Sequence, residues 1–489
     1  MLKKIYQGVF IARTVSEWLK TRERRQENEG YFLEDRARRT LLSPKHDGLL
    51  LDGDKSRLDA DDSFRNLAMI ASTGAGKTAS FIVPNLLTLD HCSIVTTDPS
   101  GSLYDRTAAD LTRRGYTVLR LEPKDLGGSI RYNPLARAES TPSQQEIAHV
   151  LIQTSNRGGK PTDPFWTNGA EEILGILIKC LKNHVDADRY ANLANVQYLL
   201  NNFGDGDARA PFVAANAPDD ATYFAFKGFI TQSEKTMQGI VSQAKAALTM
   251  MADPELAALT ESSSFDFERL RKEKIALFLV IPQNRVSYYA GLMSLFYTDL
   301  FHFCLDDEVF ARQSTSGRGQ SRGVMPVYFL LDEFGHLTIP DFPSIITTTR
   351  QRRISLSIVL QSLSQLEERY GPKGAQTIID GGIASRLFFS GMDIDTATML
   401  SRTIGEARTD HLDALGRPHT SREPVMSAAS LRAMPDTDVL YLFANKRPTL
   451  LSVTPYYRRS DFARRAEQVP RVPRRVNVGV PSPVAYVPL

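Results

Sequence analysis

The chain has 489 residues, room for about three domains, and its 59 Lys and Arg against 56 Asp and Glu leave a net charge of +3. That balance excludes a global basic field, so any nucleic-acid surface must be local. Cys92, Cys180 and Cys304 are far apart and show no C-x-x-C spacing, which argues against a disulfide framework and a zinc site and makes the reducing cytosol the expected compartment. The histidines are scattered too, and His91 beside Cys92 reads as packing rather than as a ligand.

Residues 1–60 form an N-terminal segment that opens MLKKIYQGVFIARTVSEWLKTRERR. It has no secretory apolar region and no small-residue cleavage site. Ile5, Val9, Val15, Trp18 and Leu19 set among basic residues read as an amphipathic basic helix. Such a helix docks on the protein's own body, on a membrane surface or on a partner.

Residues 61–140 begin a nucleotide-binding domain, with strands at 67–71, 93–97 and 117–121. Within NLAMIASTGAGKTASFIVPNLL a strand ends, a Gly-rich loop follows, and Lys77 and Thr78 open a helix. Gly74 and Gly76 let backbone N–H groups turn toward an anion, and the helix N-terminus adds its positive dipole end. Lys77 reaches the β- and γ-phosphates and Thr78 ligates Mg²⁺. Thr73, Gly74, Ala75, Gly76, Lys77, Thr78 and Ala79 are the expected ATP-binding residues. Ala71 stands where the usual phosphate-loop pattern has glycine.

Residues 141–260 carry helical periodicity, as in AEEILGILIKCLKN and SEKTMQGIVSQAKAALTM, and read as an all-helical domain inserted between two strands of the nucleotide-binding sheet. Residues 261–457 complete that sheet, with strands at 275–281, 327–331, 356–360 and 386–390. Strands alternating with helices indicate an α/β fold with a mostly parallel sheet. The apolar stretch 288–305 contains Thr298, Asp299 and His302, so it is a buried helix and not a bilayer helix. STSGRGQSRG at 314–323 reads as a mobile loop before a central strand.

VYFLLDEFGHL places Asp332 and Glu333 at the carboxyl end of a buried strand, where α/β sheets bind ligands. Asp332 is the second expected Mg²⁺ ligand, and Glu333 the group that polarises the attacking water. Gln361 ends the strand of TTTRQRRISLSIVLQSLSQL. A polar residue there senses the γ-phosphate when that strand lies between the phosphate loop and the acidic strand. Arg350, Arg352 and Arg353 precede it, as an arginine finger for a neighbouring subunit or as a solvated basic turn. Residues 458–489 form a basic Pro-rich tail, expected to be solvated disorder, with contact to nucleic acid or an acidic partner as the other reading.

From about residue 66 to 457 the chain resembles the coupling ATPases of type IV secretion systems, the hexameric motors of bacterial conjugation. The resemblance rests on ASTGAGKT with IVPNLL, SIVTTDPSGSLYD with RYNPL, DPFWTNGAEEIL, SEKTMQGIV, LFLVIP, LLDEFGHL with TIP, and LQSLSQLEERYG, in that order. It implies a RecA-like P-loop NTPase carrying the all-helical domain, assembled as a homo-hexamer around a DNA channel, with ATP and Mg²⁺ as cofactors. By position, Lys77, Thr78, Asp332, Glu333 and Gln361 keep the ATPase chemistry, and Arg350 best matches the finger.

Family members commonly have Lys and Glu where Ser100, Gly101 and Ser102 follow Asp98-Pro99 here, and most begin with transmembrane helices that this chain does not show. The expectation is a cytoplasmic ATP-driven motor, peripheral at the inner membrane through its N-terminal helix. It passes relaxase-bound single-stranded DNA to the channel components of the secretion system. Effector proteins or duplex DNA are alternative cargoes, and a nucleotide-gated docking platform that hydrolyses little is the alternative of another class.

Overall fold

Seven strands, most of them buried on both faces, form the parallel part of the sheet. In a computed structural model that describes residues 32–72, 74–155, 163–202, 209–314, 324–412, 418–469 and 483–489, they are β1 (Leu67–Ile70), β2 (Ser93–Asp98), β3 (Thr117–Leu121), β4 (Ile275–Val280), β5 (Val327–Leu331), β6 (Ile354–Leu360) and β7 (Ser385–Phe389). The expected N-terminal helix, Thr73 and all but the first residue of the 314–323 loop lie outside the described residues. Two further antiparallel pairs follow, the hairpin β8 (Glu406–Leu412) and β9 (Pro418–Pro424), and β10 (Asp438–Phe443) with β11 (Thr449–Ser452). The nine-stranded sheet runs β11-β10-β7-β1-β6-β5-β2-β4-β3. β1 to β7 pair in parallel, and β10 joins β7 antiparallel.

Alternation along β1 shows how the sheet divides the core. Leu67 and Met69 enter one cluster with Leu86 and Leu87 of α1 (Val83–Thr88) and Leu103 and Leu111 of α2 (Ser102–Arg113). Ala68 and Ile70 enter the other. That second cluster is continuous with the helices that fill the chain between β3 and β4, chief among them α3 (Thr141–Ser155), α4 (Pro164–Lys182), α5 (Leu193–Asn201) and α6 (Glu234–Ala247). Asp163 starts α4 by accepting from Phe165 N, with Pro164 in the first turn and Lys179 and Lys182 in the last. Two sequence motifs meet where α4 crosses α6: a Cβ on Gly239 would lie 2.5 Å from the Trp166 ring, and one on Gly169 would lie 2.7 Å from Ile240.

α7 (Val286–Leu305) is buried along most of its length between these helices and the sheet, as its interior polar residues suggested. Among the described residues no helix is long and apolar enough to cross a membrane.

Two expectations fail here. His91 is exposed in a left-handed turn (φ 53°) and only Cys92 is buried, because the turn into β2 swings the imidazole outward. The tail is anchored to the body of the protein at both described ends. In α9 (Ser460–Ala466), named after α8 (Ser364–Gln376), Phe462 is buried under the Arg459 guanidinium, and Arg465 Nε donates to buried Asp110 Oδ1 at 2.9 Å. At the other end Asn195 of α5 brackets the backbone, donating to Ala485 O (3.0 Å) and accepting from Val487 N (2.8 Å). Phe462, Arg465 and the backbone at Ala485 and Val487 therefore have partners on the body of the protein, which composition alone does not reveal.

Candidate active site

The ends of four adjacent strands, β1, β6, β5 and β2, converge on one crevice. β6 lies between β1 and β5, the position the sensor reading requires. Ala71 still belongs to the sheet: its N–H donates to Leu360 O at 3.0 Å and its side chain is fully buried. Its φ is not positive, so the position has no need of glycine. Gly74 and Gly76 do take positive φ, 83° and 80°. Lys77 is buried with Nζ donating to Ala71 O at 3.0 Å, which folds the amine back across the loop. From Thr78 to Ile82 the helix is wound in π form, Val83 N donating to Thr78 O just before Pro84, which has no N–H to give.

Thr78 Oγ1 donates to Asp332 Oδ2 at 3.0 Å. Thr97 Oγ1 of β2 holds Asp332 O at 2.8 Å. Burial pushes the Asp332 carboxyl above the usual range, and neighbouring Glu333 adds to this, while the Thr78 bond and the Lys77 charge work against it. Among the described residues no group of three or more His, Cys, Asp or Glu could hold a metal ion. One hydroxyl and one carboxylate, both hard oxygen donors, nevertheless fit Mg²⁺, which keeps waters and phosphate oxygens as its other ligands.

Glu333 is itself left-handed (φ 57°), a conformation that non-glycine residues seldom hold without a local reason. Gln361 Nε2 donates to Glu333 Oε2 at 3.1 Å, so the two expected catalytic side chains touch. Helix α8 supports both. Gln365 Oε1 accepts from Gln361 N at 2.8 Å, and Arg369 Nε donates to Gly335 O at 3.2 Å. A Cβ on Gly335 would stand 2.5 Å from the Gln365 side chain, so this turn needs glycine for the close approach. Thr97, His336, Gln365 and Arg369 were missed in the sequence. The spacing of Gln365 and Arg369 on one helix face was the available signal.

Arg350 is elsewhere. It sits in the turn Thr349–Arg352 that enters β6, whereas Gln361 leaves β6. Seven extended residues separate the two ends by roughly 23 Å. Arg350 is exposed and lines a cleft with Arg65, Asp380 and Arg386. Arg352 bonds Leu305 O and pairs with Asp307, and Arg353 donates to Val324 O at 2.8 Å. In the turn after β2, Ser100 and Ser102 bond each other at 2.7 Å, while Asp98 Oδ2 accepts from Tyr104 N at 2.8 Å to support the start of α2.

The family model for type IV secretory system conjugative DNA transfer matches residues 22–479. The chain belongs to this family. It is 24% identical over 405 residues to protein VirD4 of Rhizobium radiobacter, covering 80% of this chain and 56% of that protein. It is 23% identical to the conjugal transfer protein TraG of Escherichia coli, covering 69% and 54%. The chain therefore spans little more than half the length of these relatives. Among solved structures, the coupling protein TrwB with a GTP analogue matches with a TM-score of 0.67 at 17% identity, covering 91% of this chain and 97% of that one. TrwB with ADP and Mg²⁺ matches at 0.65 and 16%, covering 87% and 93%. The RecA-like fold of the conjugative coupling family is thus shared.

Proposed function

We propose that this chain is an ATP-driven motor that couples DNA, single-stranded and carried with its relaxase, to a type IV secretion channel. The observation that carries this reading is the meeting of the Lys77 loop, the Thr78–Asp332 pair and the Gln361–Glu333 pair at the carboxyl ends of adjacent central strands in a chain of this family. Lys77 releases Ala71 O to bind the β- and γ-phosphates, as N–H groups of the loop close on them. Thr78 and Asp332 would hold a Mg²⁺, which would supply positive charge against the phosphate oxygens. Glu333 polarises the water in line with the γ-phosphate. Gln361, already bonded to that carboxylate, reports whether the γ-phosphate is present. A touching Glu333–Gln361 pair favours hydrolysis over a passive docking platform, which has no use for a poised water.

The distance of Arg350 from its own site supports a role in trans, and with it a ring, most simply a homo-hexamer. The inserted helices would select cargo, and the N-terminal segment would contact the inner membrane from the cytoplasmic side. The test is the ATPase rate of purified protein alone and with single-stranded DNA, duplex DNA or a candidate relaxase. Stimulation by single-stranded DNA is expected. Turnover indifferent to all three would count against a DNA motor.

A further inference from the structure

A cleft of about 480 Å³ lies beside the acidic turn. Lys77, Thr78, Asp332 and Gln361 do not line it. Its walls are His336, Arg369 of α8, Tyr288 and Gly291 of α7, and Thr249 and Met250 just beyond α6 of the inserted helices. Two of these side chains reach into the catalytic turn. Arg369 holds Gly335 O at 3.2 Å, and His336 Nε2 stands 3.6 Å from Glu333 Oε2, the same oxygen that accepts from Gln361. The turn itself brings the imidazole back, because His336 N donates to Glu333 O at 3.0 Å.

Glu333 holds a left-handed backbone, so the direction of its carboxylate depends on what its side chain meets. We propose that His336 is a positioning residue for Glu333, and that through it the cleft under the inserted helices sets the direction of the carboxylate that polarises water. Gln361 then approaches from the sheet and His336 from the helical side. Movement of the Thr249–Met250 wall changes the room available to the imidazole, and so couples the inserted helices to hydrolysis. This inference rests on the hydrolytic reading above.

The test is steady-state ATPase and nucleotide affinity of the full chain as wild type, Glu333→Gln, His336→Ala, His336→Phe, His336→Gln and Thr249→Trp. Hydrolysis by wild type and none by Glu333→Gln establishes the site; no hydrolysis by wild type overturns the site reading and this inference together. With the site established, His336→Ala and His336→Phe should lose about tenfold in kcat with KM and nucleotide affinity unchanged, while His336→Gln, which restores an N–H, stays within about threefold. A ring that merely packs is replaced by Phe, so wild-type kcat in His336→Phe overturns the inference. Thr249→Trp should lower kcat in the wild-type background and add nothing in His336→Ala; additive losses would contradict the route through the cleft.

Discussion

Thr78 and Asp332 lie 254 residues apart in the chain, yet the threonine hydroxyl donates to Asp332 Oδ2 at 3.0 Å. That bond ties the helix after the phosphate loop to the end of β5 and places the two expected cation ligands side by side. It also leaves the Asp332 carboxyl buried, a setting that favours its protonated form unless a cation is bound.

The cost to the empty site is measurable. Burial raises the Asp332 pKa, with Glu333 contributing, so the folded state holds this proton more tightly than the unfolded state does. Stability from this position therefore falls as pH rises from the ordinary carboxylate range of about 4 through the raised value. Asp332→Asn should raise the melting temperature of nucleotide-free protein at neutral pH while abolishing Mg²⁺-dependent hydrolysis. Calorimetry at two pH values checks this, and a variant less stable than wild type at neutral pH would contradict it.

If the guanidinium acts on a neighbour's site as proposed, Arg350→Ala should bind ATP nearly normally and lose hydrolysis. Mixed with Lys77→Ala subunits it should regain activity, since an intact finger then meets an intact pocket. Co-assembly shown by crosslinking, with no recovered turnover, would remove Arg350 from the role.

Arg465 of the tail helix gives two bonds to Asp110, whose side chain is fully buried. Burial pushes the Asp110 carboxyl up, but the Arg465 bond and the charges of Arg465 and Arg114 outweigh it, and the net shift is downward. Arg465→Ala should cost about 1.5–3 kcal/mol, the range for a hydrogen bond to a charged group, since Arg113 and Arg114 stay on Asp110. This contribution is present above the unfolded carboxylate pKa and is lost as pH falls through the lowered one. Denaturant unfolding of wild type and variant supplies the number; a difference within error would mean the tail helix is not anchored there.

His302 of α7 meets Glu146 of α3 at 2.9 Å, bridging the inserted helices to the helix that lies against the sheet. The Glu146 bond raises the His302 pKa against the opposing effect of burial. The bridge therefore stabilises fully below the unfolded histidine pKa of about 6.5 and is lost as pH rises through the raised value. The stability difference between wild type and His302→Gln should shrink across that interval. A difference independent of pH would show that the imidazole is only packing.

The parallel strands and the phosphate loop were legible because local chemistry determines them. VYFLL is buried on both faces and ends in Asp332 and Glu333, and β5 occupies those five residues. GAGKT must turn through positive φ at Gly74 and Gly76, and does. The hairpin β8–β9 was not legible: EARTDHL and PHTSREP pair with each other and show no apolar alternation. β10 is apolar, but its antiparallel place beside β7 depends on long-range pairing that no local pattern encodes. His336 was hidden for a related reason. A histidine three residues beyond a carboxylate is unremarkable until the turn Phe334–His336 folds it back toward Glu333.

The central claim is that Glu333 activates water for a nucleotide held by Lys77. It is tested most directly by following bound radiolabelled ATP in Glu333→Gln beside wild type and Lys77→Ala, each with Mg²⁺ and single-stranded DNA. Glu333→Gln should retain ATP uncleaved with turnover down by at least about a hundredfold, the lower end of the range for losing a general base, while Lys77→Ala should retain little nucleotide of any kind. Wild-type turnover in Glu333→Gln, or undiminished ATP binding in Lys77→Ala, would contradict it.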